Sequence, residues 1–220
     1  LVIILGGDGK LLRTVHNYMD KIDKIDFVTF TTGTLGYASD FHQLEVDEFI
    51  KLLISNEYSI EKIHLLEATI NYYQKKETLY ALNEIRLENR HHTCVIDLFL
   101  NEQHFENFRG NGICVSTPFG STGYNKSLNG AVVLNDVKVL QITEIAGIHN
   151  TTYRSLGNSL IVNDNTTVTL KPGSKYPLIG LDHLIIDSNN LKSIDVKFSD
   201  KTINFVHYKN KNCIDRIKKA

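Results

Sequence analysis

The chain has 220 residues, a formal net charge of −1, 42% hydrophobic and 22% charged residues, a composition ordinary for a soluble globular protein. That length holds one large domain or two modest ones, and the near-neutral charge excludes a bulk attraction to nucleic acid or an anionic membrane. No apolar run approaches the ~20 residues of a membrane span, nothing resembles a signal peptide, and three scattered cysteines without a CxxC pair indicate a reducing, cytoplasmic home rather than a disulfide framework.

The chain begins inside an apolar run without methionine, so a preceding segment is expected in the full protein. "LVIIL" reads as a buried strand, and "LLRTVHNYM" places Leu11, Leu12, Val15 and Met19 at helical spacing. "IDFVTF" reads as a second strand, closed by the glycine-rich "TTGTLGYASDF". "EVDEFIKLLIS" then sets Val46, Phe49, Ile50 and Leu53 on one helix face. Strands alternating with helices predict an α/β domain with a Rossmann-like parallel sheet and ligand-binding loops at the strand C-termini.

From about Tyr58 the pattern turns to β. "EKIHLLEATINYY", "TLYALNEIRLE", "TCVIDLFL" and "HFENFRGNGICVST" are followed past Asn150 by "SLIVN", "TTVTL", "HLIID", "SIDVKF" and "TINFVHY". The pattern predicts an α/β domain over residues 1–60, an all-β domain of β-sandwich type over 61–205, and a tail or helix over 206–220.

Three stretches carry chemistry. In "GGDGK", Gly6, Gly7 and Gly9 let backbone approach a ligand, and a helix N-terminus behind them suits phosphate. Asp8 would repel phosphate, so its natural partner is a hydroxyl or a metal ion; a tight turn with a helix-capping Asp is the plain alternative. Neither the Walker A nor the GxGxxG spacing is present. In "ALNEIRL", Asn83 and Glu84 stand inside an apolar strand, where consecutive side chains point to opposite faces, so one is expected to face a site. An edge-strand polar pair is the alternative. The third stretch, "FRGNGICVSTPFGSTGYNKSLNG", is dense in glycine and hydroxyls, as functional loops are. Tyr124 could stack on a base, and Thr122 and Ser127 could bond ribose or phosphate. His91 and His92 fall in a turn, His183 faces either core or site, and Ser116 and Ser121 are not in a GxSxG elbow.

In order, "GGDGKLL", "TTGTLGYASDF", "ALNEIRL" and "FRGNGICVSTPFGSTGYNKSLNG" resemble the NAD kinase family, its bacterial members above all, over nearly the whole chain. The resemblance implies a two-domain enzyme that phosphorylates the adenosine-ribose 2′-hydroxyl of NAD with ATP, or polyphosphate, and a divalent cation such as Mg²⁺, as a homodimer or homotetramer. It implies Asp8 as the catalytic aspartate, with Gly6 and Gly7 at the phosphate donor; Lys10, just behind them, is expected to help hold the donor's phosphates. It implies Gly9, Tyr37, Asn83, Glu84, Arg109, Asn111, Thr122, Gly123, Tyr124, Ser127, Ala146 and His183 as NAD contacts, and no dedicated metal ligands. Lys10 stands where the family usually has Thr, Asn111 where it has Asp, Phe119 where it has Thr or Ser, Gly123 where it has Ala and Asn129 where it has Gly. The alternatives are a lipid or other small-molecule kinase sharing "GGDG", and a catalytically silent NAD-binding homologue.

Overall fold

In the computed structural model, which describes residues 1–33, 36–150, 152–173, 177–209 and 213–218, the opening apolar run becomes β1 (Val2–Leu5) and the helical spacing after it α1 (Asp8–Asn17). Leu11 and Val15, four residues apart, form the buried face of α1. There follow β2 (Asp26–Thr31), the two-residue β3 (Phe41–His42) and α2 (Val46–Ser55). The β-rich part supplies β4 (Ser59–Tyr72), β5 (Lys76–Ala81), β6 (Glu84–Glu88), β7 (Cys94–Leu100), β8 (Gln103–Gly110) and β9 (Gly112–Ser116). After the single turn α3 (Tyr124–Ser127) come β10 (Val139–Ile145), β11 (Leu160–Asn163), β12 (Val168–Pro172), β13 (Leu178–Leu181) and β14 (Leu184–Ile186). The long β15 (Leu191–His207) and the short α4 (Cys213–Ile217) end the chain.

These elements form two units, Leu1–His64 with Asp200–Ala220, and Leu65–Ser199. In the first, β1 runs parallel to β2 from Val2↔Phe27 to Leu5↔Phe30, and β3 runs parallel to β2 through Phe30↔Phe41. The end of β15 also runs parallel to β2, through Asn204↔Asp26 and Phe205↔Phe27. Residues 206 and 207 therefore complete a strand rather than open a tail. Phe30, Phe41 and Phe49 fill the core at centroid separations of 4.9–5.2 Å, within the range of favourable aromatic pairs. Two expectations are corrected here. Of "LVIIL" only Ile4 is buried, and Ile3 and Leu5 point outward, because burial in β1 alternates. Of the predicted apolar face of α2 only Phe49 is buried: the aromatic cluster takes the helix at Phe49, with Leu52 packed half-buried beside it, and leaves Val46, Ile50 and Leu53 exposed.

The second unit is a sandwich of two sheets around one core. One sheet is antiparallel, in the order β11-β10-β9-β6-β13-β14. In the other, β12 lies between β15 and β7, β8 lies beyond β7, and β4 joins β15 to β5. Ile70, Ile96, Leu98 and Val168 of the latter meet Ile85, Leu87, Ile113, Val115 and Ile179 of the former. Two segments that read as continuous in sequence are broken: "TLYALNEIRLE" at Leu82–Asn83, and "HFENFRGNGICVST" at Asn111. At each break the chain passes from one sheet to the other, and both breaks bear on the site. Among the described residues no helix is long and apolar enough to cross a membrane.

Candidate active site

In the α/β unit the chain turns from β1 into α1 through Gly6, whose φ of +149° favours glycine. A Cβ there would lie 2.9 Å from Lys10 Cβ. The Gly6 N–H donates to Phe30 O at 2.9 Å, holding the turn on β2. Gly7 is the residue before the helix and offers no side-chain cap, and Asp8 is the first helical residue. The capping-Asp alternative therefore fails; the carboxylate instead accepts the Tyr37 N–H, at 3.3 Å to Oδ2. A Cβ on Gly7 or Gly9 would meet nothing within 4 Å, so a ligand can reach the backbone on either side of Asp8. Asp8 and Lys10 are exposed, at the positive end of the helix dipole. Tyr37 is 6% exposed, so its backbone, not its ring, is what the site receives.

In the sandwich unit the second cluster is built on a residue that sequence reasoning missed. Asp182, in the turn between β13 and β14 with φ of +50°, is 4% exposed. Its carboxylate accepts three backbone N–H groups: Leu82 at 2.8 Å, Asn83 at 2.7 Å and Glu84 at 3.1 Å. Asp182 N–H donates back to Glu84 O at 3.0 Å. The only signal in sequence is an acid in a short turn between apolar runs, which does not name its partner. Thr117 braces the same bend from the other side, its N–H and Oγ1 reaching Asn83 O and Leu82 O at 2.9 and 2.7 Å. Asn83 thus stands in a bend before β6 rather than inside a strand, and the alternation rule does not apply to it. Asn83 and Glu84 do not diverge. A Cβ on Gly123 would lie 3.4 Å from Asn83 Nδ2 and 3.9 Å from Glu84 Oε2, so both side chains converge on that glycine. Asn83 Oδ1 and Glu84 Oε2 are buried with no hydrogen-bond partner among the described residues. Buried polar atoms are rarely left so, and two on one spot mark a ligand site.

The electrostatics of Glu84 follow from its place. Burial first, and the Asp182 carboxylate second, push its carboxyl from 4.5 up to about 7, against the pull of Arg86. Arg86 Nη1 donates to Glu84 Oε1 at 2.5 Å, and the guanidinium lies 4.9 Å from the centre of the Tyr124 ring. Folded Glu84 keeps its proton to higher pH than the unfolded chain does. Stability therefore falls as pH rises from about 4.5 to about 7, by roughly 3 kcal/mol if the group acts alone. Glu84→Gln, which imitates the protonated form, is expected to abolish that decline. Thermal melts across this window check it; an unchanged slope would show that Glu84 does not titrate as its surroundings dictate.

The glycine- and hydroxyl-rich loop divides into a brace and a rim. Ser121 is fully buried, accepts Val133 N–H at 2.9 Å and donates to Pro118 O at 2.6 Å. Asn125 is equally buried and accepts the Thr143 hydroxyl at 2.7 Å. Gly120 packs so closely on Asn83 that a Cβ would run into its carbonyl. Thr122 is half-buried, while Tyr124 and Ser127 remain exposed.

The remaining predicted residues are also in this unit. The Arg109 guanidinium lies 4.2 Å from the centre of the Tyr153 ring, and its Nε is buried without a hydrogen-bond partner among the described residues. Ala146 has φ of +46°, and its carbonyl lies where a Cβ on Gly110 would be, at 2.6 Å. Asn111 is tied inward: Nδ2 donates to Asn89 O at 2.9 Å, and its N–H donates to Ile145 O at 2.8 Å. An aspartate in that pose would set oxygen against oxygen, so the bond to Asn89 O is one that only the amide makes. His183 is exposed beside Asp182. A cavity of about 800 Å³ over Asn71, Phe99, Lys171 and Asp195 contains none of the predicted residues and lacks their convergence. Among the described residues no three His, Cys, Asp or Glu side chains gather as a metal site. The lone exposed Asp8 is the kind of oxygen donor Mg²⁺ takes alongside substrate phosphates.

Residues 82–208 match the ATP-NAD kinase C-terminal domain family. The chain is 39% identical over 212 residues to NAD kinase 1 of Listeria monocytogenes, covering 95% of this chain and 80% of that protein. It is 35% identical over 222 residues to the NAD kinase of Lactobacillus acidophilus, covering 100% and 83%. Among solved structures, yeast NADH kinase complexed with NADH agrees with a TM-score of 0.83 at 25% identity, over 98% of this chain and 63% of that one. An NAD kinase from Archaeoglobus fulgidus in complex with ATP shares the fold, with a TM-score of 0.75 at 19% identity over 99% and 82%.

Proposed function

Because the chain belongs to the NAD kinase family, we propose that it transfers the γ-phosphoryl group of ATP to the 2′-hydroxyl of the adenosine ribose of NAD, forming NADP. The observation that carries this reading is Asp8: an exposed carboxylate at the start of α1, anchored by Tyr37 N–H, with open backbone at Gly7 and Gly9. The ribose oxygen attacks the γ-phosphorus, the bond to the β,γ-bridging oxygen breaks, ADP leaves, and the hydroxyl proton passes to Asp8. Phosphoryl transfer asks mainly for alignment and charge stabilisation. A carboxylate is a weak base for a sugar hydroxyl, but it can hold the hydroxyl in line and accept its proton late. Backbone N–H groups about Gly6 and Gly7, with Lys10, take phosphate charge. A divalent cation bound with the donor phosphates supplies further charge neutralisation.

In the sandwich unit Asn83, Glu84, Gly123 and Tyr124 receive the adenosine. Glu84 holding its proton near neutrality offers a purine edge both a donor and an acceptor. Thr122 and Ser127 supply hydroxyls, and Arg109, Ala146 and His183 line the rest of the dinucleotide. Asn111 serves through the turn it holds, Gly9 through its open backbone, and Tyr37 through the N–H that Asp8 accepts. The buried cysteines Cys94 and Cys114, neither in a disulfide, fit a cytoplasmic enzyme, and a homodimer or homotetramer is the expected assembly. Incubation of the full-length protein with NAD, ATP and Mg²⁺ should yield NADP, with no turnover of diacylglycerol or a sphingoid base. NAD binding without NADP from any phosphoryl donor, polyphosphate included, would instead identify a silent homologue. Lys10→Thr is expected to raise the KM for ATP severalfold; an unchanged KM would remove Lys10 from the donor site.

A further inference from the structure

The α/β unit holds a buried ionic cluster that the reaction as drawn leaves unused. His207, the last residue of β15, is 7% exposed, and its ring lies between two carboxylates. Nδ1 is 2.8 Å from Asp40 Oδ2, and Nε2 is 3.0 Å from Glu61 Oε2. Asp40 is 2% exposed, and the Glu61 side chain, on β4, is 25% exposed. An imidazole donates from both nitrogens only as the imidazolium; the neutral ring sets one lone pair against a carboxylate oxygen. The charged groups on neighbouring elements have partners of their own. Lys209, two residues on, pairs with Glu45 and Glu48 beside the Phe41 ring, and Asp26 on β2 accepts from Asn204.

We infer that His207 is a positioning residue for Asp8, acting through the turn 36–40. Asp40 ends that turn, and its hold on His207 fixes one end. Within it, Ser39 N–H donates to Gly36 O at 3.3 Å and the Thr29 hydroxyl donates to Ala38 O. Gly36 packs so tightly that a Cβ would lie 2.6 Å from Ser39 Oγ. The turn therefore moves as a piece, and it carries the Tyr37 N–H that Asp8 accepts. His207 touches no substrate; an imidazolium in its place sets where Tyr37 N–H points, and so how Asp8 is aimed. The inference rests on the role assigned to Asp8. It predicts that kcat falls as rising pH removes the ring proton and releases one carboxylate, with KM for NAD unaffected.

The test measures kcat and KM for NADP formation from about pH 6 to 10, the span over which an imidazole held by acids titrates, in the full-length protein and two variants. His207→Gln is expected to lower kcat at neutral pH on the order of tenfold, as a small misplacement of a reacting group does. KM for NAD should stay within about twofold, and the alkaline decline should vanish. Glu61→Gln, at a partly exposed site that tolerates the change, is expected to move the alkaline decline to lower pH, because the imidazolium loses one of its two charges. A Glu61→Gln profile that overlays the wild type overturns the inference, as does a His207→Gln protein that melts lower yet keeps wild-type kcat. A wild-type protein making no NADP overturns the functional reading itself; an active wild type matched by its variants overturns only the role of His207.

Discussion

Asp8→Asn is expected to lower kcat for NADP formation by about a thousandfold, the scale on which a positioned proton acceptor contributes. Asparagine is nearly isosteric and keeps an oxygen for the Tyr37 N–H, so the turn that receives Asp8 stays in place. Stability should change little, because the residue is exposed and a charge at a helix N-terminus is worth only about 0.3–1 kcal/mol. NAD affinity by calorimetry should therefore hold while turnover collapses, which separates lost chemistry from lost binding. Wild-type turnover in this variant would remove Asp8 from the reaction, and would leave the open backbone at Gly7 and Gly9 as a binding feature alone.

Asp182→Ala carries the second large effect, on the fold as much as on the site. Three backbone N–H groups lose their acceptor at once, and two of them belong to the buried Leu82 and Glu84. Each buried donor left unsatisfied costs about 1–3 kcal/mol, so the variant should lose about 3–5 kcal/mol after partial relaxation or water entry. The bend at Leu82–Asn83 would loosen, and NAD affinity should fall with it even where the protein still folds. Asp182→Asn keeps one carbonyl oxygen and removes the charge beside Glu84. It should be the milder change, and it should lower the pH at which Glu84 ionises. Denaturant unfolding together with NAD titration of both variants decides the matter. Equal stability of Asp182→Ala and wild type would mean that the three bonds contribute nothing net.

The change from alternating strands and helices to strands alone was legible, because hydrophobic periodicity is a local property and both the 3.6 and the 2.0 repeat were present. What periodicity could not show is where a strand changes sheet. Leu82–Asn83 and Asn111 sit inside stretches that read as unbroken strands, and only their partners reveal the breaks. The elbow at Gly6–Gly9 was legible for the same reason as the helix after it: glycine cluster, strand and amphipathic run are contiguous. Asp182 and Thr117 were not, since each acts on residues far away along the chain, and an Asp in a short turn is a common sight. Burial of α2 and β1 was overestimated because an apolar face records what could be covered, not what covers it. The hydroxyls of Ser121 and Thr122 looked alike in sequence, and packing alone made one a brace and left the other at the rim.

The reach of Asp182 has a consequence for how the protein comes into being. The bonds by which Asp182 shapes the Asn83–Glu84 bend span 98 to 100 residues, and they form only after the loop between is closed. Contacts of such separation are slow to make, because the entropy of closing the loop is lost before the contact returns anything. During synthesis, Asn83 and Glu84 leave the ribosome long before Asp182 does, and through that interval the bend proposed to receive the dinucleotide is not yet shaped. On the proposed reading, the ligand recognises only a chain whose sandwich is nearly finished. Binding then stabilises the completed state by mass action and offers little to any earlier one.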